Sequence, residues 1–299
     1  MIAPWGTGGC ARSAWWRPIS WMIRPTALQI ALLTFGIIFP MISTLGHQPQ
    51  VKIAIAQIFC LDGDREGNFV RIENAIVEAK GQGAQIVTLP ESCILGWENP
   101  AAHQRAYPIP GRDSERLCAL AKKYRVFLNV GLDERKGRKL YGACLLIDDQ
   151  GRILLKHRKV NVLPELMSPP YSVGDGVTMV TDTKYGRIGL LICADSFLPE
   201  LLKGMALKHP DFLLIPYGWA APETAWPSHG EKLRDVVQNV AKVVHCSVIG
   251  TDLVGEITNG PWSGQVYGGQ SVAADGNGRI LLVCRDRDRE VTVVSIGWK

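Results

Sequence analysis

The chain has 299 residues, 46% hydrophobic and 20% charged, a balance that places it among globular proteins long enough to bury one large core. Its net charge of +5 draws on Arg12, Arg17 and Arg24 near the N-terminus, so no broad basic face for a phosphate backbone is indicated and nucleic-acid binding is excluded. Eight scattered cysteines, without a CxxC pair or clustered histidines, exclude a zinc set, and the length argues against a disulfide scaffold.

Residues 26 to 46 (TALQIALLTFGIIFPMISTLG) carry no charge and follow the three arginines, the pattern of a signal peptide or membrane anchor. On that reading the following domain is membrane-anchored or exported. The alternative is a misassigned translation start, with Met22 or Met41 as the first residue, and a cytoplasmic protein. In either case residues 1–50 form an extension, and residues 51–299 form the domain.

Val51 to Ile58 (VKIAIAQI) has the β-branched apolar run of a buried strand, and Arg65 to Lys80 places Phe69, Ile72, Ile76 and Ala79 on one helical face. A strand at Gln85 to Leu89, a polar loop with Pro108, Pro110 and Gly111, a helix near Ser114 to Tyr124 and a strand at Val126 to Val130 continue a β-α-β-α-β order. Tyr141 to Ile147 and Arg152 to Lys156 flank turn residues and predict a hairpin. Further strands are predicted at Arg187 to Ile192, Phe212 to Pro216, Ser247 to Leu253, Ile280 to Cys284 and Val291 to Ile296. Helices are predicted around Pro199 to Lys208 and from Glu231 to His245, and no internal repeat is visible. The pattern is α/β, with two mixed sheets face to face and helices outside.

Three residues stand where such a fold exposes its chemistry. Cys193 follows the buried strand GLLIC at a strand-to-helix elbow, Glu91 ends QIVTL within TLPES, and Lys159 closes ILLKHRK. Taken singly, each has an ordinary reading: a core thiol, a loop carboxylate, a surface lysine. Together a base, an ammonium and a thiol at one edge suit acyl transfer. Glu165, in LPEL, is a candidate second carboxylate that orients the lysine. Trp97, Tyr217 and Trp219, near the same edge, are candidate pocket walls.

The strings LPESCILGW, KHRKVNVLPE and YGRIGLLICADSFLPEL, in this order, resemble the nitrilase or carbon-nitrogen hydrolase superfamily. The resemblance spans most of Val51 to Gly297. It implies an α-β-β-α sandwich, a homodimer or larger homo-oligomer, and a Glu-Lys-Cys set without cofactor or metal. Glu91 matches the base, Lys159 the lysine, Cys193 the nucleophile and Glu165 a second glutamate. Ala194 replaces a residue that is commonly aromatic, and Phe197 stands at a position that is often arginine, which changes the pocket more than the chemistry.

The expected reaction is hydrolysis of a non-peptide carbon–nitrogen bond, an amide in preference to a nitrile, through a Cys193 thioester, with Lys159 and the Ala194 N–H holding the oxyanion. Two alternatives are an N-acyltransferase using the same acyl-enzyme and a catalytically silent binding relative. A Cys-His protease finds no support, because neither His157 nor His229 lies in a string resembling one.

Overall fold

The computed structural model describes residues 49–298 apart from Thr178, so the uncharged segment at 26–46 lies outside the described residues. No helix among the described residues is long and apolar enough to cross a membrane.

The first half of the domain runs through β1 (Gln50–Gln57), α1 (Arg65–Gly81), β2 (Ile86–Thr88), α2 (Ala102–Arg105), α3 (Arg112–Tyr124), β3 (Phe127–Lys136), β4 (Lys139–Ile147) and β5 (Ile153–Arg158). The second half runs through β6 (Val180–Thr183), β7 (Gly186–Leu190), α4 (Pro199–Ala206), β8 (Phe212–Pro216), β9 (Ala220–Ala221), α5 (Ser228–Val244), β10 (Ser247–Thr251), β11 (Val254–Glu256), β12 (Val266–Gly268), β13 (Val272–Ala274), β14 (Ile280–Val283) and β15 (Glu290–Gly297). One six-stranded sheet has the order β15-β1-β2-β3-β4-β5, the other β14-β13-β10-β8-β7-β6, and β11-β12-β9 make a small third sheet.

Both large sheets are built alike. Three parallel strands (β1, β2 and β3; β7, β8 and β10) form the centre, with one antiparallel strand on one side and an antiparallel pair on the other. The chain thus repeats a topology that its sequence does not repeat. A topology survives on hydrophobic period and turn placement alone, whereas residue identities drift beneath it.

Period-two alternation explains the layers. Along β1, Val51, Ile53 and Ile55 join one apolar cluster with Ile188, Leu190, Ile215 and Ile249 of the second sheet, while Ala54 and Ala56 join a second cluster with Phe69, Ile72, Ile76 and Ala79 of α1. Strand β1 lies over β10 and β3 over β8. Both faces of the sheets are therefore covered, as expected for strands that read as continuous apolar runs. On the far side, α5 buries Leu233, Val237, Val240, Ala241 and Val244 at helical spacing. Helix α1 begins where the Asp64 carboxylate accepts from the Gly67 N–H at 3.1 Å, satisfying one of the free N–H groups of the first turn.

The α-β-β-α sandwich expected from the resemblance is present. Several boundaries differ from the expected ones. Strand β3 runs on to Lys136, because its tail pairs with β4 as far as Lys136 opposite Lys139. Strand β5 stops at Arg158, which leaves Lys159 just beyond it. Strands β6, β9, β11, β12 and β13, of two to four residues each, were not anticipated: runs this short carry too little alternation to stand out.

Candidate active site

The loops that leave the C-terminal ends of β2, β7 and β8 meet beside the end of β5. Past β2, Leu89 N–H donates to the Asn129 carbonyl, Gly131 N–H to Pro90 O and Cys93 N–H to Gly131 O, so the loop stays zipped to β3. Gly131 permits this contact: a Cβ there would stand 2.5 Å from the Glu91 Cα. The Glu91 N–H donates across to Tyr217 O, at the end of β8 in the other sheet. Glu91 is thereby held between the two sheets. Lys159 sits one residue past β5 and keeps the pairing with β4 through its N–H to Gly142 O.

Lys159 Nζ donates to Glu91 Oε1 at 2.7 Å, and the two residues are 2% and 3% exposed. Burial works against the lysine charge, but Glu91 and the Cys193 sulfur outweigh it and hold the ammonium above the ordinary lysine value. The second carboxylate oxygen, Glu91 Oε2, has no hydrogen-bond partner. It lies beside Gly218, where an added Cβ would come 3.3 Å from Oε2 and 2.9 Å from the Trp97 ring.

Cys193 is 5% exposed and adopts φ +40°, a left-handed conformation that costs a non-glycine residue about 1–3 kcal/mol and persists only where the surroundings enforce it. A 3₁₀ turn, Cys193–Phe197, follows directly. Burial pushes the Cys193 thiol up and the Glu91 carboxylate adds to this, while Lys159 and the Gly218 N–H, directed at the sulfur, favour the thiolate. Burial and the Glu91 carboxylate thus favour the protonated thiol, and the ammonium and N–H stand ready to support the thiolate.

Asp195 enforces the elbow. Its Oδ1 accepts from Val160 N–H and Asn161 N–H, both at 2.9 Å, and its Oδ2 contacts His157 Nε2 at 2.7 Å and accepts from Ile192 N–H at 3.2 Å. Asn161 Nδ2 donates to Ala194 O at 3.0 Å. One buried carboxylate thus ties the segment after Lys159 to the segment around Cys193. Ser196 Oγ and Tyr217 OH, 2.8 Å apart, fasten the same turn to the end of β8.

Two further carboxylates are buried beside this group. Asp133 Oδ1 accepts from Tyr171 OH at 2.7 Å and Ser92 Oγ at 3.1 Å, and burial raises its pKa to about 7 in spite of those bonds. Glu98 is 1% exposed; burial raises it to about 8, Lys159 pulls it down, and Glu91, Asp133 and Glu165 push it up.

The other expected site residues are distributed less evenly. Glu165 is exposed on the turn Pro164–Leu166 and forms no side-chain hydrogen bond or ion pair among the described residues; the carboxylate bonded to Lys159 is Glu91. Ala194 is fully buried directly after the thiol. Trp97 is buried, with its ring 6.0 Å from Lys159 Nζ and edge-on to Trp262 and Tyr267. The Tyr217 ring is wholly buried, with its hydroxyl engaged by Ser196, so it supports the elbow. Trp219 is half-buried, stacks on His229 and donates its Nε1–H to His229 O, which fixes the loop before α5. Asp195, Asp133 and Glu98 were not anticipated. The first was visible only as an acid two residues past the thiol, and the other two look like ordinary polar residues until the fold buries them.

Among the described residues no group of three or more His, Cys, Asp or Glu side chains is placed to hold a metal ion. A cleft of about 1080 Å³ near Trp298, lined by Leu207, His209, His245 and Cys246, contains none of the residues around Cys193.

The carbon-nitrogen hydrolase family model matches residues 52–297. The chain belongs to that family. Among its relatives is the bifunctional nitrilase/nitrile hydratase NIT4A of Nicotiana tabacum, 32% identical over 190 residues, covering 56% of this chain and 54% of the relative. Another is a citrullinase of Francisella tularensis, 30% identical over 174 residues and covering 56% and 60%. The chain thus spans about half the length of the curated relatives it matches first. In structure this family member is similar to an amidase from Nesterenkonia sp. AN1, in a form whose active-site cysteine carries the acetamide moiety of fluoroacetamide. That match has a TM-score of 0.72 at 21% identity and covers 83% of this chain and 90% of the other. It is also similar to XC1258 of Xanthomonas campestris, a superfamily protein with an arsenic adduct in its active site, with a TM-score of 0.72 at 18% identity and coverage of 84% and 91%. At these identities the structural likeness establishes the fold.

Proposed function

We propose that this chain hydrolyses a non-peptide carbon–nitrogen bond, an amide in preference to a nitrile, through a thioester on Cys193. The observation that carries the reading is the free Oε2 of Glu91. Its other oxygen is anchored to Lys159, and Gly218, beside Oε2, aims its N–H at the sulfur.

Glu91 takes the thiol proton and the sulfur attacks the amide carbonyl carbon. The resulting oxyanion is stabilised by the Lys159 ammonium and the Ala194 N–H, in surroundings shielded from bulk water where such interactions are strengthened. Collapse breaks the carbon–nitrogen bond, and the leaving ammonia or amine takes the proton held by Glu91. A water then gives a proton to Glu91 and attacks the thioester. The acid departs, and the thiolate recovers its proton. Amide is preferred to nitrile because a structural neighbour is an amidase and a relative is named a citrullinase, although other relatives are named nitrilases.

Self-association belongs to the same reading. A groove of about 630 Å³ between α4 and α5 is lined by Phe197, Leu202, Val236 and Val243, and Phe197 and Val243 are 45% and 38% exposed.

The test is ammonia release from a panel of amides, ureas and nitriles, with mass spectrometry of the intact chain for an acyl adduct on Cys193. Turnover of at least one amide and an adduct lost in Cys193→Ala are expected. Full activity of Cys193→Ala sinks the proposal.

A further inference from the structure

Glu91 and Lys159 balance each other; Glu98 and Asp133 have no such cation. Neither forms an ion pair among the described residues, and each retains a buried oxygen without a partner, Oε1 of Glu98 and Oδ2 of Asp133. Asp133 at least accepts from Tyr171 and Ser92. Asp252, a third buried carboxylate nearby, accepts from the Trp219 N–H at 2.7 Å and likewise keeps an oxygen, Oδ2, without a partner among the described residues. Oε1 of Glu98 has no partner among the described residues, and the residue is 1% exposed.

A buried carboxylate without a donor costs several kcal/mol and is rare in folded proteins, so one that persists calls for a function. Its neighbours locate it: the charges that act on Glu98 are Lys159, Glu91, Asp133 and Glu165. Glu98 directly follows Trp97, whose ring is 6.0 Å from Lys159 Nζ, and Asp133 accepts from Ser92, the residue after Glu91. Burial raises the Glu98 pKa, and Lys159, already bonded to Glu91, only partly offsets that rise.

We propose that Glu98, assisted by Asp133, is a specificity-determining group that seats an ammonium carried by the substrate. The substrate class is then an amide bearing a primary amine a few bonds from the scissile bond. Its N–H donors would fill the vacant acceptors Oε1 of Glu98 and Oδ2 of Asp133. Binding displaces the proton from Glu98 and creates the charge pair that the free protein lacks. A neutral amide of the same length leaves both oxygens buried and unpaired. The inference rests on the reading of Glu91, Lys159 and Cys193 as the reacting groups, since it identifies the adjacent space as the substrate's.

The test is a binding measurement that needs no turnover. Full-length Cys193→Ala is titrated with 3-aminopropanamide and with its uncharged isostere butyramide, followed by calorimetry. The amino amide is expected to bind about tenfold tighter or better, the value of a charge-assisted hydrogen bond in a buried setting. Adding Glu98→Gln, which keeps the shape and removes the charge, is expected to erase most of that ratio, and Asp133→Asn to reduce it. Equal binding of the two amides, tighter binding of butyramide, no binding of either, or a ratio unchanged by Glu98→Gln overturns the proposal. Ammonia release by the unsubstituted chain is scored separately, so selective binding without any turnover would reject the hydrolase reading and leave the ammonium seat standing.

Discussion

The proposed chemistry is concentrated in three side chains, Glu91, Lys159 and Cys193, each 5% exposed or less. Removing the ammonium with Lys159→Gln is expected to cost on the order of a hundredfold or more in kcat/KM, since the developing oxyanion loses its charged partner. Steady-state ammonia release checks it. Gly218→Ala is expected to impair turnover by a different route: the new methyl meets the Trp97 ring and Glu91 Oε2, which pushes the N–H away from the sulfur. Glu98 and Asp133 supply a pH signature. Burial raises their pKa values in the folded state to about 8 and about 7, whereas in the unfolded chain they ionise at ordinary carboxylate values. The unfolded state therefore binds fewer protons across that window, and the stability these groups contribute, present in full below about pH 4, is lost as pH rises through 7 to 8. The slope is about 1.4 kcal/mol per pH unit for each group inside its window. Urea midpoints between pH 5.5 and 8.5 are expected to fall for the unsubstituted chain and to fall less for Glu98→Gln. That Glu91, Lys159 and Cys193 stand just past strand ends was legible in the sequence, because each follows a recognisable apolar run within a motif. Glu98 and Asp133 were not, because only the fold decides whether an acidic residue is buried.

Among the elements, the decisive device is the clamp by which Asp195 joins the 3₁₀ turn at Cys193 to the segment following β5. Asp195→Ala removes the acceptor of three backbone N–H groups and the partner of His157, and is expected to cost about 3 kcal/mol of stability together with a loss of kcat. Denaturant titration and kinetics read both, and Asp195→Asn, which keeps one acceptor oxygen, is expected to restore part of each. Helix α5 shows how far periodicity reaches. Leu233, Val236, Val237, Val240, Val243 and Val244 all fit a helical apolar stripe, yet Val243 emerges exposed and Val236 half-buried, because the sheet beneath covers a narrower band than the stripe. The long elements were legible through such stripes, and so were the short strands β2 and β14; β6, β9, β11, β12 and β13 were not, since their pairing comes from neighbours distant in the chain.

On the scale of the whole molecule, two sheets of the same topology face each other, and the reacting loops emerge where the parallel strands of both sheets end. That placement is a consequence of the topology: the C-terminal edges of parallel strands are where an open α/β sheet leaves its loops free of further pairing. The expected sandwich could be read from the beat of strands and helices, whereas the repeat could not, since it resides in strand order and leaves no trace in residue identity. The outer face of α4 and α5 carries the remaining consequence. Phe197 and Val243 expose apolar surface along a groove whose floor is formed by Leu202 and Val236. Exposed apolar patches rimmed by polar residues mark association surfaces, and pairing of this face with its own copy would cover both side chains, with Lys203, Asp235 and Asn239 at the groove's polar edge. Light scattering on the eluting full-length chain is expected to give a multiple of the 32.8 kDa monomer mass. Phe197→Asp with Val243→Asp would place two charges on each side of that contact and is expected to return the monomer, while a monomeric unsubstituted chain would show that this face stays solvated. Since Phe197 closes the same 3₁₀ turn that begins at Cys193, loss of association is also expected to loosen the elbow and lower kcat in the doubly substituted chain, a drop that Lys232→Ala, an exposed change on α5 outside the groove, would not reproduce.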